Sequence, residues 1–236
     1  MNTHFFIDNI PVALYGDPSD RVFLYLHGQG GNKEEALRFQ KAAGEFGYRT
    51  LAMDLPEHGE RRDGRKLLPW ETIPEIRKVY HFAKERFSTV SLRTVSIGTW
   101  LALLACQGES VDSCLFSSPL FDMEDVIFTL MRLPGVDETE LETKGEIPTA
   151  FGQTLAWDYL SFVRAHPVRA LSPRTSILYA TEDETIRRET VERFARENGA
   201  DLCFYPGGRH WLHTPEELSF TEVWERWKLA EFEKSR

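Results

Sequence analysis

The chain has 236 residues, 42% of them hydrophobic and 28% charged, and 28 Lys plus Arg against 37 Asp plus Glu leave a formal net charge of −9. That balance excludes the basic footprint of a nucleic-acid binder, and no apolar run nears the roughly 18 residues of a membrane span. An odd number of cysteines (Cys106, Cys114 and Cys203), each in an apolar segment, reads as buried free thiols in a reducing, cytoplasmic compartment rather than as disulfides or a zinc site.

In chain order, Phe5-Phe6-Ile7 and Val12-Ala13-Leu14-Tyr15 around Asn9 and Pro11 predict an antiparallel hairpin, and Val22 to Leu26 a buried strand. Asn32 with Glu35 three residues on resembles a capping box. Ala36, Phe39, Ala43 and Phe46 then keep helical spacing up to Gly47. Thr50 to Met53 is a strand, Ile73 to Phe87 a helix, and Leu92 to Val95 a strand weakened by Arg93 in its middle. Trp100 to Ala105 reads as a wholly buried helix, and Cys114 to Phe116 as a strand. From Asp122 to about Pro167 the strand rhythm stops. Two amphipathic stretches, Val126 to Met131 and Leu155 to Val163, flank an acidic run that reads as a solvated face. Strand rhythm returns at Ser176 to Ala180 and Leu202 to Tyr205, with a helix between them ended by Asn198-Gly199. A last helix opens at Thr214-Pro215-Glu216-Glu217. Short apolar runs alternating with helices predict a mostly parallel α/β sheet, built as one domain over residues 1–236.

Four segments fall where a strand ends, the edge of an open α/β sheet at which ligands bind. His27-Gly28-Gln29-Gly30-Gly31 can turn sharply and aim backbone N–H groups into a cleft; it has no P-loop or dinucleotide signature. Thr94-Val95-Ser96-Ile97-Gly98 approximates the G-x-S-x-G nucleophile elbow, with Thr94 where the first glycine stands. Glu182, Asp183 and Glu184 follow a strand, where an acid could orient an imidazole. His210, after Pro206-Gly207-Gly208-Arg209, sits on a mobile loop suited to proton transfer. Each segment alone has a bland reading: a strand-to-helix turn, a helix-capping serine, a solvated acidic loop, an incidental histidine. His210 and His213 lack a third ligand at a sensible spacing, so no metal site is expected there.

Together these segments give a Gly-rich loop, then Ser, Asp and His in that chain order. On these residues the whole chain resembles the α/β-hydrolase superfamily, above all its small bacterial esterase-like members with a helical cap inserted after the sixth strand, here residues 121–168. Asp54-Leu55-Pro56-Glu57-His58-Gly59 matches the D-x-P-x-H-G loop common after the fourth strand in that superfamily, which makes His58 structural. The resemblance implies an α/β-hydrolase fold with helices on both sheet faces. It implies Ser96 as nucleophile, His210 as general base, Asp183 as its orienting acid, and the backbone N–H groups of Gln29 and Ile97 as oxyanion donors. Asp122, Glu182 and Glu184 stay open as alternative acids and His213 as an alternative base.

The expected chemistry is hydrolysis of an ester-type bond in a small acyl substrate, with no cofactor, no metal, no nucleic acid and no membrane. A peptidase or thioesterase using the same residues, or a non-catalytic binding protein of the same fold, would also fit. Phe128, Met131, Trp157, Tyr159 and Phe162 read mostly as packing between cap and sheet, with the lining of an acyl pocket as the other reading. The stretch Arg61-Arg62-Asp63-Gly64-Arg65-Lys66 reads as a solvated loop, with a clamp for a substrate anion as the other reading.

Overall fold

The computed structural model describes residues 2–172 and 174–234. β-Branched and aromatic runs bounded by Gly, Pro and Asn punctuation form the strands. In order these are β1 (Thr3–Ile7), β2 (Ile10–Tyr15), β3 (Arg21–Leu26), β4 (Arg49–Met53), β5 (Thr89–Val95) and β6 (Cys114–Ser117). After an excursion come β9 (Thr175–Ala180) and β10 (Asp201–Tyr205). They make one sheet of order β1-β2-β4-β3-β5-β6-β9-β10. The β1–β2 and β2–β4 pairings are antiparallel, and every pairing from β4 to β10 is parallel. All the parallel strands therefore deliver their following loops to one edge.

Alternation along the central strands feeds two separate cores, because successive side chains point to opposite faces. On β3, Val22, Leu24 and Leu26 join one cluster while Phe23 and Tyr25 join the other. The first face is covered by α2 (Pro69–Lys84), α3 (Ile97–Ala105) and α7 (Arg188–Asn198); α1 (Ala36–Glu45) and α8 (Pro215–Lys234) cover the second. Trp100 on α3 and Trp224 on α8 are fully buried anchors, one on each face. Truncating either to Ala should cost about 3–5 kcal/mol.

Several boundaries differ from the sequence reading for physical reasons. The first helix begins as a short 3-10 turn, Lys33–Glu35, with the Asn32 side chain capping the Glu34 N–H and the Glu35 carboxylate taking the Asn32 N–H in return. Helix α2 starts at Pro69, whose fixed φ suits a first helical position. Strand β5 runs from Thr89, and Arg93 does not interrupt it. Its guanidinium lies buried against Glu225 of α8 at 2.8 Å and donates to the Thr94 carbonyl, so a charge in a central strand is satisfied in place.

Between β6 and β9 stand α4 (Met123–Arg132), α5 (Glu138–Lys144), the two-stranded ribbon β7 (Glu146–Pro148) and β8 (Thr154–Ala156), and α6 (Trp157–Ala165). The acidic run read as a bare solvated face is in part the short helix α5. Asp137 caps it and Leu141 tucks into the core. The β7–β8 ribbon was not legible, since strands of three residues leave too short a pattern to register. Cys106 and Cys114 are buried free thiols and Cys203 a half-buried one; burial pushes the Cys114 thiol up to about 12. No helix among the described residues is long and apolar enough to cross a membrane.

Candidate active site

Ser96 stands between β5 and α3 with φ 48° and ψ −122°, a backbone region that costs a non-glycine residue about 1–3 kcal/mol and must be enforced by its surroundings. The enforcement is visible. The Ser96 N–H donates to the Ser117 carbonyl, and the Ser96 carbonyl accepts from Thr99 and Leu120. Gly98 lets α3 lie directly on β3; a Cβ there would sit 2.5 Å from the His27 carbonyl oxygen and 2.8 Å from that of Leu26. Thr94, the departure from the glycine pattern, is wholly buried and shares a 2.8 Å hydrogen bond with the Thr99 hydroxyl. The β-branched residue thus braces the turn from below.

The Ser96 hydroxyl lies 2.8 Å from His210 Nε2, and His210 Nδ1 lies 2.7 Å from Asp183 Oδ2. Nδ1–H donates to the carboxylate, which leaves Nε2 to accept the serine proton. The Asp183 side chain is fully buried, while that of His210 is 20% exposed. Asp183 Oδ1 accepts the N–H groups of Thr185 and Ile186, so the carboxylate is aimed by its own turn. The two loops are also laced together. The Glu182 N–H donates to the Gly208 carbonyl, the Thr181 N–H to the Tyr205 carbonyl, and the Gly207 N–H to the Thr181 hydroxyl. Thr181 escaped the sequence reading; its position just before the acid, facing a glycine turn, was the available signal.

The alternatives are employed elsewhere. Asp122 caps α4 by accepting from the Asp125 N–H and pairs with Arg193 at 3.3 Å. Glu182 and Glu184 are exposed. His213 donates from Nδ1 to the Trp211 carbonyl, and its own N–H, with that of Thr214, is taken by the Glu217 carboxylate in the capping box that starts α8. Trp211, 72% exposed, stacks on the His213 ring at 4.2 Å.

The loop after β3 runs against the elbow, with a Gly28 Cβ position 3.3 Å from the Ser96 Cβ. Two buried histidines hold it. His27 Nδ1–H donates to the Gly28 carbonyl and its Nε2 accepts the Leu55 N–H at 3.1 Å. His58 Nδ1–H donates to the Pro56 carbonyl and its Nε2 accepts the Gly30 N–H at 2.9 Å. Burial drives the His27 pKa down to about 4, so it stays a neutral tether at pH 7. Asp54 completes the frame, bonding the Lys33 N–H and ammonium and the Glu60 N–H. Burial opposes the Lys33 charge, but the bonds to Glu34 and Asp54 outweigh it and raise its pKa. A Cβ on Gly59 would collide with the Asp54 carboxylate. The N–H groups of Gln29 and Ile97 donate to no protein acceptor among the described residues.

The basic stretch and the candidate lining residues find their partners within the chain. The basic stretch is consumed internally. Arg61 is buried in a two-pronged pair with Glu75 and a bond to Asp63, Arg65 joins Glu75, Lys66 joins Glu57, and Arg62 donates to the Gly59 carbonyl. Met131 is 2% exposed and belongs to the core. Of the other proposed lining residues, Phe128, Trp157, Tyr159 and Phe162 pack half-buried against the core. Tyr159 stacks on Trp100 at 6.1 Å, and Trp70 meets both Tyr159 and Phe162 edge-on.

No protein-family model matches the chain, and no curated protein matches its sequence. Its structure is similar to many solved ones. Est1E from Butyrivibrio proteoclasticus, with ferulic acid bound, is 19% identical with a TM-score of 0.77, covering 97% of this chain and 98% of that one. Mouse alpha/beta hydrolase domain-containing protein 10 is 13% identical with a TM-score of 0.69, covering 94% and 96%. A soluble variant of monoglyceride lipase from Saccharomyces cerevisiae, in complex with a substrate analog, is 15% identical with a TM-score of 0.67, covering 98% and 94%. Near-complete coverage of both chains makes the likeness one of whole architecture, and the chain has the α/β-hydrolase fold.

Proposed function

We propose that the chain is a serine hydrolase that cleaves an ester-type bond of a small acyl substrate. The observation that carries this reading is the unbroken line Ser96 Oγ, His210 Nε2, His210 Nδ1, Asp183 Oδ2, with contacts of 2.8 and 2.7 Å. Such a line gives a hydroxyl a base within reach and gives the base an orienting carboxylate. As Ser96 Oγ bonds the acyl carbon, its proton passes to His210 Nε2, and the negative charge gathers on the former carbonyl oxygen. The N–H groups of Ile97 and Gln29 receive that oxygen; each such donor is worth about 3–4 kcal/mol of barrier. His210 then protonates the departing alkoxide, leaving an acyl-Ser96 ester. Water repeats the sequence, giving its proton to His210 and releasing the carboxylic acid. Asp183 keeps Nδ1 protonated throughout and stabilises the imidazolium.

In this reading residues 121–168 form a cap over the crevice within a single 1–236 domain. The half-buried aromatics of α6 favour an apolar or aromatic acyl group. The free, buried thiols suit a cytoplasmic setting. The test is direct. A fluorophosphonate probe should add to Ser96, and a short-chain p-nitrophenyl ester should be turned over by the native chain and not measurably by Ser96→Ala. Labelling elsewhere, or equal turnover by both chains, removes Ser96 from the chemistry; no labelling and no turnover leaves a binding protein. Esters, thioesters and amides of one acyl group then rank the bond cleaved.

A further inference from the structure

Away from the crevice, three metal-ligating side chains from separate parts of the chain converge at the antiparallel end of the sheet. They are His4 on β1, Glu34 in the turn after β3, and Glu60 in the loop after β4. One ligand atom from each lies within 4.8 Å of the others. Tetrahedral ligands about 2.0–2.2 Å from a zinc ion stand roughly 3.4 Å apart, so small rotations of these largely exposed side chains close the set.

Charge and hydrogen bonding both leave this place incomplete. Lys33 is the cation of the cluster, touching Asp54 at 2.9 Å, Glu34 at 2.9 Å and Glu60 at 3.4 Å. One ammonium against three carboxylates leaves a formal charge of −2, and the Lys33 and Asp54 side chains are both buried. Independently, Tyr15 on β2 is fully buried, and its hydroxyl has no hydrogen-bond partner among the described residues. That hydroxyl lies within electrostatic reach of Glu34, Lys33, Asp54 and Glu60, and its ring meets the His4 ring edge-on at 5.9 Å. A buried polar atom left unpaired beside a net negative cluster is a second sign that a positive charge is missing there.

We propose that His4, Glu34 and Glu60 bind a divalent transition-metal ion, Zn2+ or Mn2+, on the side of the sheet where the Tyr15 hydroxyl is left unpaired. One imidazole and two carboxylates suit those ions; the absence of sulfur disfavours Cu(I), and the imidazole disfavours Ca2+. The ion neutralises the cluster and ties strand β1 to both loops framing the crevice. Glu34 follows the Gly28 to Gly31 turn, and Glu60 follows His58. The ion's place is structural, and the site stands whether or not the chain is a hydrolase.

The test is calorimetric titration of the EDTA-treated full chain with ZnCl2, alongside thermal melts. One saturable ion per chain and a rise in melting temperature are expected. His4→Ala and Glu60→Gln should each weaken binding more than about tenfold while melting like the native chain in EDTA; His4→Gln serves if the alanine variant melts early. His210→Ala should bind the ion as the native chain does. Absence of saturable binding, binding unchanged in both His4 and Glu60 variants, or binding lost with His210→Ala would each overturn the proposal.

Discussion

The loops on the two sides of Ser96 use histidine in opposite ways. After β3 and β4, His27 and His58 each give Nδ1–H to a carbonyl and accept a backbone N–H at Nε2, so both nitrogens are spent on shape. After β10, His210 gives Nδ1–H to a buried carboxylate and turns Nε2 to a hydroxyl. The residue type does not set the role; the partner of Nδ1 does. A carbonyl there makes the ring a spacer, whereas a carboxylate there suits the role of base proposed for His210.

The largest effect that should separate the two sides is at His210. His210→Ala should lower ester turnover by about 10⁵–10⁶-fold, with melting temperature nearly unchanged; a loss under tenfold would break the contrast. Next, Asp183→Asn should cost about 10⁴-fold by favouring the wrong tautomer, whereas Asp122→Asn should leave turnover within about twofold. A larger loss at Asp122 would move the acid to the loop after β6.

On the opposite side the signature is stability against pH. His27 titrates near 4 when folded because burial disfavours its charge, and near 6.5 when unfolded. Between those values the unfolded chain holds more protons, so stability rises with pH. It is complete above about pH 6.5 and falls by roughly 3 kcal/mol as pH drops through 4. Urea unfolding at pH 7 and pH 4.5 measures the loss, which should be shallower in His27→Gln; equal slopes would mean the ring is not the titrating group. Smallest of all, Thr94→Val removes the hydroxyl pair beneath the elbow and should cost about 1–2 kcal/mol in denaturant unfolding with less than about threefold change in turnover.

Chain order made much of this legible. Ser96, Asp183 and His210 follow strands that the apolar runs announce, and parallel pairing carries all three to one edge. The α8 start was readable because Thr214, Pro215 and Glu217 form a local pattern. What stayed hidden was long-range pairing. Arg93 looked like a fault in β5 because its partner Glu225 lies 132 residues away. The stretch from Arg61 to Lys66 read as a solvated loop because Glu75, which binds Arg61 and Arg65, sits a helix turn inside α2. His27 was read only as part of a turn, since its acceptor role needs the Leu55 N–H from another loop. The β7–β8 ribbon was too brief to leave any alternation.

The dihedrals at residue 96 set durability against chemistry. A hydroxyl-bearing side chain is kept at φ 48°, where glycine would rest without penalty. The Ser96→Gly protein should therefore withstand heat better than its parent while doing nothing to a substrate. Selection for thermal endurance alone would erode this position, and its persistence as serine in any lineage would report that turnover is what is being preserved.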